Sequence, residues 1–163
     1  MQPPCEGDLI HLSAAIAARD KGATTDAMQA SLSSCDPLQV EEAILQSYLF
    51  LGFPVCLNAF ALWRRVSGRP SDPPRQVDLE EWETVGLEVC SRVYSNHFES
   101  FRESIGALHG DMDQWMVTEG YGKILGREEL DLDVRELCIV AILAVSRQPK
   151  QLYSHLRGAL NVG

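Results

Sequence analysis

The chain is short of cations. It carries 14 Lys and Arg against 23 Asp and Glu, a formal charge of -9. Nucleic-acid binding needs clustered Lys and Arg to neutralise phosphates, so that class is excluded, and an anionic membrane surface is a poor partner. A small anionic substrate is still allowed, because a pocket can hold local positive charge that the total hides. No CxxC occurs, and no Cys/His spacing suits zinc, so neither a metal nor a cofactor is expected. No stretch alternates cleanly between apolar and polar residues, so strand signals are missing. No apolar run approaches the roughly 20 residues that span a bilayer. The opening MQPPCEGDLI lacks the basic flank and apolar stretch of a signal peptide. The expectation is a cytoplasmic, soluble chain that binds neither nucleic acid nor membrane.

What the sequence has is apolar mass, 45% of its 163 residues. That is enough for a core and fits one domain. Helical periodicity recurs along its length. Asp8 is placed to cap a helix running to about Arg19, and a second helix covers about Thr25 to Ser33. Asp36-Pro37 is a strong start signal for a third. Gly52 and Pro54 interrupt it before PVCLNAFALWRRV resumes. SGRPSDPPRQ, residues 67–76, reads as a linker between a first half, about residues 8–66, and a second, about residues 78–163. In the second half Gly120 and Gly122 are expected to mark a bend, Asp133 to cap an apolar helix, and Pro149 to turn the chain. The fold class predicted is all-α, with about eight or nine helices. A weak internal echo relates LIHLSAAIAARDKGATTDAMQASL to LCIVAILAVSRQPKQLYSHLRGAL, which suggests pseudo-repeated halves. Of five cysteines, Cys56, Cys90 and Cys138 read as buried hydrophobes, and Cys5 and Cys35 as exposed, incidental thiols.

Two stretches resemble the carboxymuconolactone decarboxylase family, which shares its fold with alkylhydroperoxidase D. One is EEAILQSYLFLGFPVCLNAF, residues 41–60. The other is EGYGKILGREELDLDVRELCIVAILAVSRQPKQLYSHLRGALNVG, residues 119–163. Together they cover about two-fifths of the chain. In the family the GFP segment usually follows the ALNxG segment. Here it comes first, and the preferred reading is that each half is a partial unit, the second stopping short. At the positions of the hydroperoxidase CxxC stand Gln148 and Gln151. Disulfide-cycling peroxidase chemistry requires a thiolate and a resolving partner, so it is expected to be absent.

The resemblance places Glu136 and His155 at the family's proton-relay positions, and offers Arg127, Tyr121 and Gln151 for substrate contact. Competing structural readings exist. Glu136 fits a first-turn carboxylate behind an Asp133 cap, and His155 a satisfied helix histidine. Tyr121 and Trp115 also fit core or interface aromatics, and Arg135 and Arg157 surface or ion-pair residues able to bind a carboxylate. In a straight hairpin turning at Pro149, Glu136 lies about twelve residues before the turn and His155 about six after. The two levels then differ by roughly 9 Å. A direct contact is therefore not expected; a water or a substrate would have to bridge them.

The function this implies is acid/base lysis of a small carboxylated lactone or related acid, with His155 as proton carrier and Glu136 relaying. The alternatives are a family member that has lost its redox pair, and a non-catalytic oligomeric helical module. Helix CIVAILAV is apolar all round, and family members assemble into rings. Both point to a homo-oligomer, a dimer, trimer or hexamer.

Overall fold

Leu132–Val145 (α8) has almost no polar face, and the fold is organised around it. The computed structural model describes residues 5–163 and is 82% helix, with no strand among the described residues. Cys5–Ala18 (α1) packs on one side of α8 and Pro149–Val162 (α9) on another. Cys138 joins a first core with Leu9, Leu12, Ile16 and Trp63. Ile139 and Leu143 join a second core with Val89, Val93 and Tyr121. A helix shared by two cores has to be apolar on both sides. The apolar circumference that suggested a partner copy is thus largely covered within the chain.

The first core is closed by Lys21–Ser34 (α2), Pro37–Gln46 (α3) and Tyr48–Ser67 (α4). Asp36 starts α3 with a capping box, its carboxylate accepting from the Leu38 N–H while the Gln39 side chain turns back to it. Cys5 and Cys35 join α1 to the end of α2 in a disulfide. They are not incidental thiols: α1 and α2 form an antiparallel hairpin, so residues thirty apart in sequence meet at its open end. At its closed end Arg19 takes a left-handed conformation, φ 58°, and Arg147 does the same, φ 57°, between α8 and α9. The two echoing hairpins therefore turn alike. The likeness concerns those hairpins, and repetition of whole halves is not carried beyond them.

By length and composition, α4 could cross a membrane, contrary to the reading of the apolar runs. It is not one continuous helix, however. Gly52 stands at φ 78°, ψ 165° and breaks it, leaving an unbroken stretch of about 15 residues, or ~22 Å, against the ~30 Å of a bilayer core.

In the second half Leu79–Tyr94 (α5) leads through Phe98–Gly106 (α6) and Gly110–Trp115 (α7) into a π-helix, Met116–Leu125. The expected bend at Gly120 and Gly122 does not occur. A Cβ on Gly122 would land on the Trp82 carbonyl, and one on Gly86 would land on the Val117 carbonyl. These glycines let α5 and the π-helix cross backbone to backbone, so they serve close approach rather than a turn.

Candidate functional site

Asp131, not Asp133, is the N-cap of α8. The two-residue shift places Glu136 beyond the first turn, where it cannot cap the helix. Its side chain points inward and is fully buried. Facing it from α9 is His155, 6% exposed. His155 Nδ1 and Glu136 Oε2 are 2.8 Å apart, a direct hydrogen bond. The expected gap was overestimated for a definable reason. Residues 146–148 are not helical and add no axial rise, so levels must be counted from Val145 and Pro149. Counted that way they differ by about three residues, or ~4.5 Å, which two extended side chains can span.

Three neighbours fix the pair. Phe50 sets its ring edge-on to the imidazole, centroids 5.6 Å apart. Gly158, one turn beyond His155, makes room for the carboxylate: a Cβ there would lie 2.7 Å from Glu136 Oε2 and 2.7 Å from Val93 Cγ1. Asn161 donates to the Val93 carbonyl at 2.8 Å and ties the end of α9 to α5. Glu136 Oε1 is buried and has no hydrogen-bond partner within the protein. An unsatisfied buried carboxylate oxygen is costly, so this atom is the one buried polar group of the pair that the protein leaves without a partner.

Around it lies a polar cluster inside the second core. Tyr121 donates to the Tyr94 hydroxyl at 3.1 Å. Burial, reinforced by charges that include Glu136, holds both phenols above their ordinary pKa. Both are therefore neutral donors at physiological pH. Burial likewise pushes the Cys90 thiol up to about 12 and the Cys138 thiol up to about 11. Neither is a thiolate near neutrality, and burial raises the Cys56 thiol as well.

Of the residues expected to contact substrate, Tyr121 lies near the pair, and Arg127 and Gln151 do not join it. Arg127 is engaged by Glu42, Nε at 2.9 Å and an Nη at 2.6 Å. Arg135, expected at the surface or in an ion pair, is fully buried and donates to the same carboxylate at 2.8 Å. It also reaches the carbonyls of Leu130 and Arg127. This latch fastens the loop between the π-helix and α8 onto α3. Its Arg127 is paired with Glu42 and borders a separate cavity of about 820 Å³ with Tyr48, Cys56 and Trp82, not the groove beside α9. Tyr121 is a core phenol. Gln151 is exposed on the first turn of α9, away from the cavities.

The cavity nearest the pair is an open groove of about 420 Å³ between α5, α6 and α9, lined by Tyr94, His97, Phe101, Ser154 and Arg157 among others. His155 does not line it; Tyr94 does. Arg157 lies over the Tyr153 ring, 6.0 Å from its centroid, and makes no ion pair. Sequence reasoning missed Tyr94, Phe50 and Gly158. Only Gly158 left a signal, a mid-helix glycine on the same face as His155. Among the described residues no group of three His, Cys, Asp or Glu converges on a metal-sized site.

No family model, no curated protein and no solved structure matches this chain.

Proposed function

We propose that this chain is a carboxymuconolactone decarboxylase-like acid/base lyase whose working pair is Glu136 and His155. The supporting observation is the buried 2.8 Å hydrogen bond between them, at the two positions the motif resemblance singles out. With Glu136 ionised, Nδ1 must carry the hydrogen it donates, which leaves Nε2 as the nitrogen that exchanges protons with a substrate. Decarboxylation sends the electrons of the breaking C–C bond into an enolate on the neighbouring carbonyl and releases carbon dioxide. His155, protonated on both nitrogens before transfer, gives its Nε2 proton to the carbon and regains one from solvent afterwards, while Glu136 stabilises the charge it carries. Arg157, the groove cation without an ion-pair partner, replaces Arg127 as the group that binds a substrate carboxylate. The chemistry requires substrate to reach the small exposed edge of the imidazole from that groove.

One observation favours a second reading, a non-catalytic helical module: His155 does not line the groove beside it and packs against Phe50. In that reading the pair is a clasp between α8 and α9. Carbon dioxide release from a carboxylated muconolactone separates the two. The lyase reading expects turnover by the wild-type protein and its loss in Glu136→Gln. Absence of turnover by pure, folded wild-type protein favours the clasp. Self-association belongs to the same proposal. With α8 covered, the apolar surface left for a second copy includes α4, where Phe53 and Leu57 are exposed, and α9, where Leu156 and Leu160 are exposed. Sedimentation at micromolar concentration tests it.

A further inference from the structure

Another cavity lies between the α1–α2 turn and α4, with a volume of about 390 Å³. Its floor is apolar: Ile16 at the end of α1, and Val55 and Leu62 on α4. Its rim is cationic. Arg19, Lys21 and Arg65 all border it, all three are exposed, and none makes an ion pair among the described residues. No acidic residue lines it. Asp20, the nearest carboxylate in sequence, does not line it and is engaged as the cap of α2, accepting from the Ala23 N–H at 3.0 Å. Lys21 is also the first residue of α2, so the positive end of that helix adds to the same field.

In a chain with 23 acidic and 14 basic residues, three unpaired cations around one hollow with no carboxylate among them stand out against the overall charge. Most other well-placed arginines are already paired: Arg64 with Glu41, Arg102 with Asp113, and Arg127 and Arg135 with Glu42. Asn58, from the motif stretch after the Gly52 break, also lines the hollow and has no hydrogen-bond partner. An apolar floor under a cationic rim, within the size range of ligand pockets, selects a molecule with an apolar body and one anionic end.

We infer that this groove binds a small amphiphilic carboxylate, its tail on Ile16, Val55 and Leu62 and its carboxylate among Arg19, Lys21 and Arg65. The site is separate from the Glu136–His155 pair and does not depend on its chemistry. Isothermal titration with octanoate tests it, with 1-octanol as the tail without charge and with acetate and inorganic phosphate as charge without tail. Octanoate is expected to saturate at ~0.1–1 mM, and the other three to bind much more weakly. The Lys21→Gln/Arg65→Gln double variant changes two exposed side chains, so it should fold normally. It should weaken octanoate about tenfold and flatten the dependence on salt. Ala61→Trp, at an exposed lining position, should block the hollow and abolish binding. No saturation by octanoate to about 10 mM, equal binding of 1-octanol, or unchanged affinity in either variant would overturn the assignment.

Discussion

Glu42→Ala should be among the most damaging single substitutions in this protein, although Glu42 is not a hydrophobic core residue. Its two oxygens accept from Arg127 at 2.6–2.9 Å and from Arg135 at 2.8 Å. When the carboxylate is removed, Arg127, with its side chain 21% exposed, can turn to water. Arg135 is 0% exposed and cannot. It keeps two carbonyl acceptors and a 3.3 Å contact to Gln46 Oε1, but its charge is left unpaired. Removing one partner of a buried pair in this way costs about 3–5 kcal/mol. The remaining acceptors put Glu42→Ala at the lower end, about 3 kcal/mol, or a fall in Tm of roughly 6–12 °C for a chain of this size. Arg135→Met provides the contrast. It removes the buried charge and leaves Glu42 paired with Arg127, so it should cost clearly less. Urea unfolding followed by far-UV circular dichroism measures both. A loss under 1 kcal/mol for Glu42→Ala, or a larger loss for Arg135→Met, would show that the latch does not hold the loop after the π-helix.

Two further results are expected. A thiol reagent at pH 8 should find almost no reactive cysteine in the native protein, because Cys56, Cys90 and Cys138 are buried and burial raises all three pKa values. Their thiolates appear only as pH rises toward those raised values. Denaturation without reductant should then reveal three thiols and reduction five, since Cys5 and Cys35 are bonded. Five thiols without reductant would restore the reading of Cys5 and Cys35 as incidental thiols. Gly122→Ala should destabilise by about 3 kcal/mol or more, because its methyl group meets the Trp82 carbonyl where two backbones cross. Gly120→Ala, with open space around the added carbon, should be nearly neutral. Equal effects would refute the close-approach account.

Helix positions were readable where the signal was local, although two caps were misplaced: Asp8 lies inside α1 rather than before it, and Asp131, not Asp133, precedes α8. Asp36-Pro37 and the Gly52 break were identified because caps and glycine conformations are set within a few residues. Errors arose where meaning depended on a distant partner. Gly122 is punctuation when read along the chain and a contact surface when α5 is laid across it. Cys5 and Cys35 look incidental until the α1–α2 hairpin brings them together. Arg127 looked free because its partner Glu42 is 85 residues away. The Glu136–His155 pair was identified from motif spacing. Its direct contact was missed because the three-residue turn between α8 and α9 was counted as helix.

The most direct test of the proposed chemistry is the His155→Gln variant, assayed for decarboxylation of a carboxylated muconolactone beside its own thermal melt. Glutamine preserves bulk and a hydrogen bond to Glu136 but cannot carry a proton near neutral pH. The account predicts a loss of about 100-fold or more in kcat, with the melting temperature and the assembly state essentially unchanged. Unchanged turnover, or a variant that melts or dissociates while the wild type shows no turnover, would contradict it and leave His155 as a clasp between α8 and α9.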